Sequence, residues 1–292
     1  MAKSTVLEVI DRAALGDAEL AQVRRLAEAS QAAGHGEARL VWDALRVAGD
    51  VPNQFLAYQR GRLVGFLNVE GLGDDEAEAT GLIDPAATPE PIGGRLVDAA
   101  RAACRAQGSS TLIVAADQRA RPLIDALVAL GATRRFAEHK LRRASTGALA
   151  LPASELEIAD AAADDAGAIA EILAADMGID PAGIAAHIAS NMRRPNYHYY
   201  IARHAGAAAG TANVQLLNGD AYIYGLVVQP EYRGRGYGRG LIVRTLADLA
   251  ARGDAPMYIE VETENTPAYT LYRSLGFEHV ATFDYYGVAL AP

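Results

Sequence analysis

Several residue types are scarce in this 292-residue chain, and each scarcity excludes a class of protein. A single cysteine, Cys104, rules out a disulfide within one chain and fits a reducing compartment. No run of 18 apolar residues could cross a membrane as a helix, and the N-terminal residues lack the apolar core of a signal peptide. We therefore expect a cytoplasmic protein without a membrane partner.

Positive charge is scarce as well. Lysine occurs only as Lys3 and Lys140, and the formal net charge is −9. Proteins that bind nucleic acids usually carry a basic face, so this balance argues against nucleic acid as a partner. The histidines and the lone cysteine show no spacing typical of a zinc site, and we predict no metal.

The two halves of the chain match when the sequence is displaced by 145 residues. At this offset Asn68-Val69 falls on Asn213-Val214, and Leu130-Gly131 falls on Leu275-Gly276. The register holds from about residue 55 to 135, and near the start of each half the offset becomes 149. A register kept over that span indicates two copies of one fold. We place them at residues 1–146 and 147–292, joined by a linker near 144–154.

Each copy has the same order of predicted elements. A short strand and an alanine-rich helical region precede two strands that are joined by a tight turn. These strands are residues 7–10, 55–58 and 63–70 in the first copy, and 156–159, 199–203 and 208–216 in the second. A strand, a glycine-containing loop, a helix, a strand, a helix and a terminal pair of strands follow. Strands that alternate with helices predict an α/β protein with helices on the faces of a sheet.

The most distinctive stretch is residues 233–240, Arg-Gly-Arg-Gly-Tyr-Gly-Arg-Gly, between a predicted strand (221–228) and a predicted helix (241–252). Glycines allow positive φ and let an anion approach the backbone. The start of a helix offers unsatisfied N–H groups and a partial positive charge, and arginines add full charges with bidentate geometry. The stretch therefore predicts a binding site for the phosphates of a nucleotide-like cofactor. In the strand, Tyr222, Tyr224, Leu226 and Val228 alternate with Ile223, Gly225 and Val227, which predicts two covered faces.

Two motifs resemble those of the GNAT family of N-acetyltransferases. The pattern Arg233-x-x-Gly236-x-Gly238 after a strand resembles the acyl-CoA signature of the family. Residues 258–277 resemble its second signature, at the usual spacing, and the resemblance covers roughly residues 155–290. It implies an α/β fold with two tandem GNAT-like domains, each a mixed, mostly antiparallel central sheet flanked by helices.

The resemblance also implies roles for individual residues. Acetyl-CoA would bind through backbone groups of Leu226, Val227 and Val228 at its pantetheine arm, and Asn265 would contact it near the thioester. Tyr272 would protonate the departing thiolate, because a thiol has a pKa of about 8.5 and proton donation helps it leave. The loop residues that would hold the pyrophosphate are Arg233, Gly234, Arg235, Gly236, Tyr237, Gly238 and Arg239.

The general base is less closely defined. Many members of the family carry a glutamate at the place held here by Tyr222. Some that acetylate protein N-termini carry their base at the place matching Glu260, twelve residues before the tyrosine. Two-residue alternation puts Tyr258, Glu260 and Glu262 on one face of a strand. We predict Glu260 as the base, directly or through a water, with Tyr222, Tyr224 and Glu262 lining the amine pocket.

The first copy lacks the corresponding residues. At the offset of 145, Arg233 falls on Thr88, Gly236 on Pro91, Asn265 on Ala120 and Tyr272 on Leu127. Pro91 has no N–H group for a phosphate, and Glu90 would repel one. We therefore predict that residues 1–146 form a degenerate, non-catalytic domain and that residues 147–292 bind one acetyl-CoA per chain.

These features predict an acetyl-CoA-dependent N-acetyltransferase that transfers acetyl directly to a primary amine of a small molecule or of a peptide N-terminus. One alternative is mycothiol-synthase-like acetylation of an amino-sugar conjugate, which the tandem layout resembles although Tyr222 replaces the expected glutamate. Another is a CoA-binding regulatory or scaffold protein whose catalysis has decayed. The sequence does not identify the acceptor amine, and we expect a monomer or a homodimer.

Overall fold

The computed structural model describes residues 7–144, 156–217, 219–253 and 255–290. The chain forms two compact units. The first consists of Met1–His139 and Ala281–Pro292, and the second of Lys140–Val280. The predicted boundary between residues 146 and 147 lies outside the described residues.

The first unit is a sheet with helices on both faces. Strands β1 to β4 pair antiparallel in chain order, whereas β4 and β5 are parallel. Helices α2 and α3 cover one face with residues such as Leu96 and Leu127, and α1 covers the other with Val23. The elements are β1 (Leu7–Arg12), α1 (Asp17–Ala32), β2 (Gln54–Gln59), β3 (Arg62–Glu70), β4 (Glu76–Ile83), α2 (Pro89–Gln107), β5 (Thr111–Asp117), α3 (Arg121–Ala129) and β6 (Thr133–Arg143), which continues into the second unit.

The second unit repeats this plan. Its strands lie in the order β11-β10-β9-β8-β7, with β10 and β11 parallel and the other described pairs antiparallel. One face packs beneath α4 and α5 and the other beneath α6 and α7. The elements are β7 (Leu156–Asp160), α4 (Ala166–Met177), α5 (Pro181–Asn191), β8 (Tyr197–His204), β9 (Ala207–Leu217), β10 (Asp220–Val228), α6 (Tyr237–Arg252), β11 (Met257–Glu262) and α7 (Thr266–Ser274). The predicted α/β class, with a mixed and mostly antiparallel sheet, is confirmed.

Helix α6 shows why the sequence folds as it does at this point. Ile242, Leu246 and Leu249 recur at helical spacing and are all buried, so the helix lies on the sheet by one apolar stripe. On the outer side Arg244 donates to Asp248 at 2.9 Å, the i,i+4 pair expected from the sequence. The helix begins at Tyr237, four residues earlier than predicted, so the glycine-rich stretch includes its first turn.

The last strand, β12 (Glu278–Val288), differs from the expected domain plan. It pairs antiparallel with β5, placing Tyr285 opposite Ala115, and Phe283 and Tyr285 pack against Ile113. Residues 281–292 thus belong to the first unit, although the sequence repeat assigned them to a domain of residues 147–292. The repeat aligns β12 with β6 but cannot show which sheet either strand joins. Each half also ends in one long strand rather than the predicted pair.

Among the helices of the described residues, none combines the length and the apolar character needed to cross a membrane.

Candidate active site

Strands β10 and β11 pair at only three positions and then separate. Ala221 lies opposite Met257, Tyr222 opposite Tyr258, and Ile223 opposite Ile259. Strand β10 continues to Val228 and β11 to Glu262, so a wedge opens between them beyond the third pair. In the first unit the equivalent strands stay paired as far as Thr80, the position that matches Gly225. In the second unit these two strands therefore separate two residues earlier than in the first.

A β-bulge lies beside this opening. Asn213 of β9 is opposite Tyr224, but Thr211 is opposite Val227, so four residues of β10 face three of β9. Gly225 has a φ of +55°, which glycine adopts without strain. The bulge interrupts the predicted alternation, and Leu226 and Val228 pack toward the core beneath α6. Strands β3 and β4 of the first unit pair without such an interruption.

The glycine loop leads from this strand into α6. Gly234 and Gly236 have φ of +75° and +78°, and a Cβ at either would meet nothing within 4 Å. Gly240 donates to the carbonyl of Gly236 at 3.1 Å, so the preceding amides form the first turn of α6 and lack intrahelical acceptors. The exposed glycines, which carry no side chain to obstruct an anion, together with the partial positive charge of a helix start, suit a phosphate.

The three arginines of the loop contact protein groups, whereas the sequence suggested charges directed at an anion. Arg233 donates to the Val228 carbonyl at 2.8 Å and to Asp176 of α4 at 3.0 Å. Arg235 donates to the Glu231 carbonyl at 3.2 Å, and Arg239 donates to the Ser274 hydroxyl at 2.9 Å. All three side chains are exposed, so they brace the loop and keep it positively charged. The Tyr237 ring is buried in the core, which leaves only its backbone at the loop surface.

Asn265 and Tyr272 lie at opposite ends of α7. The side-chain oxygen of Asn265 accepts the Ala268 amide at 3.2 Å and caps the helix, which leaves its NH2 group for another partner. Tyr272 is 4% exposed, and its ring centre lies 6.0 Å from that of Phe277. Burial raises the pKa of Tyr272 to about 12, so its hydroxyl is protonated at neutral pH.

The predicted amine-pocket residues meet on the α4 side of the sheet. Tyr222 and Tyr258 stack with ring centres 5.2 Å apart. The Tyr224 hydroxyl donates to that of Tyr199 at 3.1 Å, and burial together with this contact raises the pKa of Tyr224. Glu260 follows Tyr258 on the same face and is half-buried, whereas Glu262 is exposed.

Sequence reasoning missed two members of this cluster. The Lys140 ammonium lies 4.9 Å from the centre of the Tyr258 ring. Tyr199 is opposite Asn213, which is itself opposite Tyr224, so the three residues form a row across β8, β9 and β10. The predicted β8–β9 hairpin contained the pairing of Tyr199 with Asn213, but the row also depends on the register of β9 with β10.

The corresponding region of the first unit is closed. Helix α2 begins with Pro89 and a second proline at 91, and Leu127 is fully buried. The backbone at Gly36 lies against Asp117, because a Cβ there would be 2.2 Å from the carboxylate carbon. The Glu37 amide donates to the same carboxylate at 3.1 Å. Residues 35–37 thus lie against the C-terminal ends of β4 and β5. The cavity between these residues and the two strands has a volume of about 10 Å³.

Comparison with known proteins places this arrangement in a family. The profile described as "Acetyltransferase (GNAT) family" matches residues 168–277. The N-alpha-acetyltransferase RimI of Mycobacterium tuberculosis is 36% identical over 115 residues, which are 38% of this chain and 68% of that protein. The chain belongs to the GNAT acetyltransferase family.

Two solved structures share the fold over nearly the whole chain. A GCN5-related N-acetyltransferase from Sphaerobacter thermophilus has a TM-score of 0.79 and 16% identity, covering 97% of this chain and 96% of that one. A tandem GNAT protein from the clavulanic acid biosynthesis pathway has a TM-score of 0.70 and 20% identity, covering 98% and 99%. The matches over both units agree with the predicted tandem layout.

Proposed function

We propose that this protein is an acetyl-CoA-dependent N-acetyltransferase whose cofactor site and chemistry lie in the second unit. One observation carries the proposal: in that unit the early separation of β10 from β11, the bulge at Gly225 and the glycine loop at the start of α6 occur together. In the first unit β4 has no bulge, prolines begin α2, and residues 35–37 fill the cleft. We therefore propose one cofactor per chain, with residues 1–139 in a supporting role.

The residues present fit acetyl-CoA, which supplies the acetyl thioester when it is bound. The edge of β10 that faces the wedge, from Leu226 to Val228, would receive an extended amide-containing arm as an added strand. The amides from Gly234 to Arg239 would hold the pyrophosphate, whereas the Arg233 amide, predicted from the sequence to join them, already donates to the Pro230 carbonyl at 3.2 Å. Arg233 would fix the position of the loop relative to the strand, because it donates to the last carbonyl of β10 and to Asp176 of α4.

Two side chains would move the protons. Glu260 would accept a proton from the amine as its nitrogen bonds to the acetyl carbon, and a water could relay that proton. Tyr272 would donate its phenolic proton to the sulfur as the carbon–sulfur bond breaks. Its raised pKa keeps that proton in place until the thiolate develops. No covalent bond to the protein is required, so the transfer is direct.

The amine that accepts the acetyl group can be assigned to a class. We propose a primary amine at a peptide N-terminus, because the matched Mycobacterium protein is named as an N-alpha-acetyltransferase. The resemblance to the family also matches Glu260 with the base of some members that acetylate protein N-termini. The stacked Tyr222 and Tyr258 beside Glu260 offer an aromatic wall for the residue that carries the amine.

The test is CoA release with a panel of amines that includes peptide N-termini, amino sugars and small diamines, together with calorimetric titration of acetyl-CoA. We expect one equivalent of acetyl-CoA per chain and turnover that is highest with a peptide. Binding without turnover for any amine would favour the regulatory or scaffold alternative. Two equivalents per chain would contradict the closed first unit, and preference for an amino sugar would replace the peptide assignment.

A further inference from the structure

Tyr224 and Glu260 are the first residues beyond the last paired position of β10 and β11. Ile223 and Ile259 form that last pair, so Tyr224 and Glu260 stand on opposite sides of the wedge. The two isoleucines are buried beneath α6, and the residues that follow them therefore point to the other face of the sheet, which α4 covers. An amine held in the wedge on this face would have the proposed base on one side and Tyr224 on the other.

The Tyr224 hydroxyl is one member of a pair. Its oxygen lies 3.1 Å from the hydroxyl oxygen of Tyr199, and the two rings meet edge to face with centres 6.5 Å apart. A hydroxyl hydrogen rotates about its C–O bond, so either phenol can donate in this contact. In both arrangements the contact uses one of the two phenolic protons, and within the described residues neither hydroxyl has another hydrogen-bond partner. The pair therefore keeps one proton for a further acceptor.

Tyr224 is the member of the pair that a ligand can reach. It is 38% exposed, whereas Tyr199 is 5% exposed and packs in the core beneath α4 and α5. When an oxygen accepts the Tyr224 proton, the hydrogen of Tyr199 can turn into the shared contact, and both phenolic protons are then bonded. Burial and the contact with Tyr199 raise the pKa of Tyr224, so this donor keeps its proton at neutral pH.

The matching positions of the first unit carry no such pair. At the offset of 145, Tyr199 falls on Gln54 and Tyr224 falls on Ala79. Ala79 has no polar side-chain group, and Gln54, at 1% exposure, donates to the Leu45 carbonyl at 3.1 Å. The two phenols thus accompany the open wedge of the second unit, and the closed unit replaces them with a small residue and a buried internal contact.

We propose that Tyr224 determines specificity for the acceptor by donating a hydrogen bond to an oxygen on the carbon next to the one that carries the amine, with Tyr199 as a positioning residue. The inference rests on the proposed function. In a peptide N-terminus this oxygen is the first carbonyl, which we assign as the partner. In an amino sugar or a 2-amino alcohol it is a hydroxyl, and a simple alkylamine has none. A site with such a donor disfavours an analogue without the oxygen, because the donor is then left unpaired.

The experiment measures kcat/KM for three acceptors that share one amine-bearing carbon: alanine N-methylamide, alaninol and isopropylamine. Each variant is compared with the wild type on the same acceptor, so differences in basicity between the amines cancel. We expect Tyr224→Phe to lower kcat/KM for alanine N-methylamide by about tenfold, mainly through KM, and to change that for isopropylamine by less than about twofold. Tyr199→Phe leaves the Tyr224 donor in place but less firmly held, so its loss should be smaller, about threefold, on the same acceptor.

The matched control is Tyr197→Phe, on the same strand and face as Tyr199. The Tyr197 hydroxyl lies 2.7 Å from Gln215, and its removal should leave the order of the three acceptors unchanged. Melting temperatures show that each variant is folded. Equal losses for all three acceptors, or no loss for alanine N-methylamide, would overturn the inference, and a loss confined to alaninol would overturn the carbonyl assignment in favour of a hydroxyl. A wild type that acetylates no amine would count against the proposed function itself, whereas an active wild type without this dependence would count only against Tyr224.

Discussion

Tyr222 and Tyr258 lie side by side on β10 and β11, with ring centres 5.2 Å apart and planes 17° apart. They occupy the middle one of the three positions at which these strands pair. Beyond Ile223 and Ile259 the strands separate, so the stack lies at the base of the wedge, on the face that carries Glu260. The position of the proposed base thus depends on a strand pair that this aromatic contact helps to hold.

The stack should make a measurable contribution to stability. In a double-mutant cycle of Tyr222→Leu and Tyr258→Leu, we expect a coupling free energy of about 1 kcal/mol in urea unfolding, because stacked aromatic pairs contribute beyond their buried area. Tyr222→Phe keeps the ring and serves as the control. Additive effects of the two leucine substitutions would show that the rings do not stabilise each other.

Tyr272→Phe should separate chemistry from binding. The ring packs against Phe277 and is nearly fully buried, so phenylalanine keeps the contact and the fold. Loss of the phenolic proton should lower kcat by about 10²-fold, the lower end of what general acid catalysis supplies, and leave the Kd for acetyl-CoA nearly unchanged. Steady-state kinetics and calorimetry measure the two quantities. Unchanged kcat would remove Tyr272 from the mechanism.

The pKa of Tyr272 gives a related expectation for pH dependence. Because burial raises it to about 12, the phenol is still protonated at pH 10. Ionisation of Tyr272 should therefore not lower the activity of the wild type between pH 7 and 10. Any loss of activity in this range should also be seen in Tyr272→Phe. An alkaline limb in this range that disappears in the variant would contradict the assignment of a buried, protonated acid.

Glu260→Gln should lower kcat by about 10²-fold at neutral pH, because glutamine cannot accept the amine proton. The matched control is Glu264→Gln, since Glu264 is exposed in the turn after β11 and has no proposed role. A raised pH should restore part of the activity of Glu260→Gln by deprotonating the free amine. Equal activity of the two variants would show that another group is the base.

Acid should weaken the second unit through His198. Burial and the nearby Arg252 lower the pKa of this imidazole, and Asp160 opposes them. Above a pH of about 6.5 the His198 imidazole is neutral in both the folded and the unfolded chain. Below that value the unfolded chain takes up the proton first, so stability falls as the pH falls. Urea unfolding at pH 7.5 and 5.5 should show a smaller loss in His198→Gln than in the wild type, with His279→Gln, an exposed histidine, as control.

The local pattern of apolar residues predicted most of the fold. Hairpins β2–β3 and β8–β9, the strand before the glycine loop and helix α6 were all indicated by periodicity and turn residues, which act within a few residues of one another. The placement of the glycine loop at a helix start followed from the same local reasoning. The family model matches residues 168–277, a range that includes that loop and α7.

Non-local relationships were harder to predict. The alternating pattern of residues 222–228 predicts a regular strand, whereas the structure has a bulge at Gly225, and a glycine inside a strand is a known sign of a bulge. The partners of Arg233 and Arg239 come from α4 and α7, far away in sequence, and no local pattern encodes them.

Removing residues 281–292 should test the position of β12. The first unit would lose the strand that pairs with β5 and the rings of Phe283 and Tyr285 that cover Ile113. We expect increased dye binding to exposed apolar surface and a lower melting temperature for the first unit. A chain ending at residue 280 with an unchanged melting profile would show that the first unit does not need this strand.

The position of β12 also has a consequence for synthesis on the ribosome. Residues 1–139 leave the ribosome first, but the strand that completes their sheet is translated only after Lys140–Val280. At about 5–20 residues per second, those intervening residues take on the order of ten seconds to translate. During that time the β5 edge has no partner strand, so the second unit, which is contiguous in sequence, can fold first. The second unit, which carries the proposed active site, would then be folded before the first unit, although the first unit precedes it in the sequence.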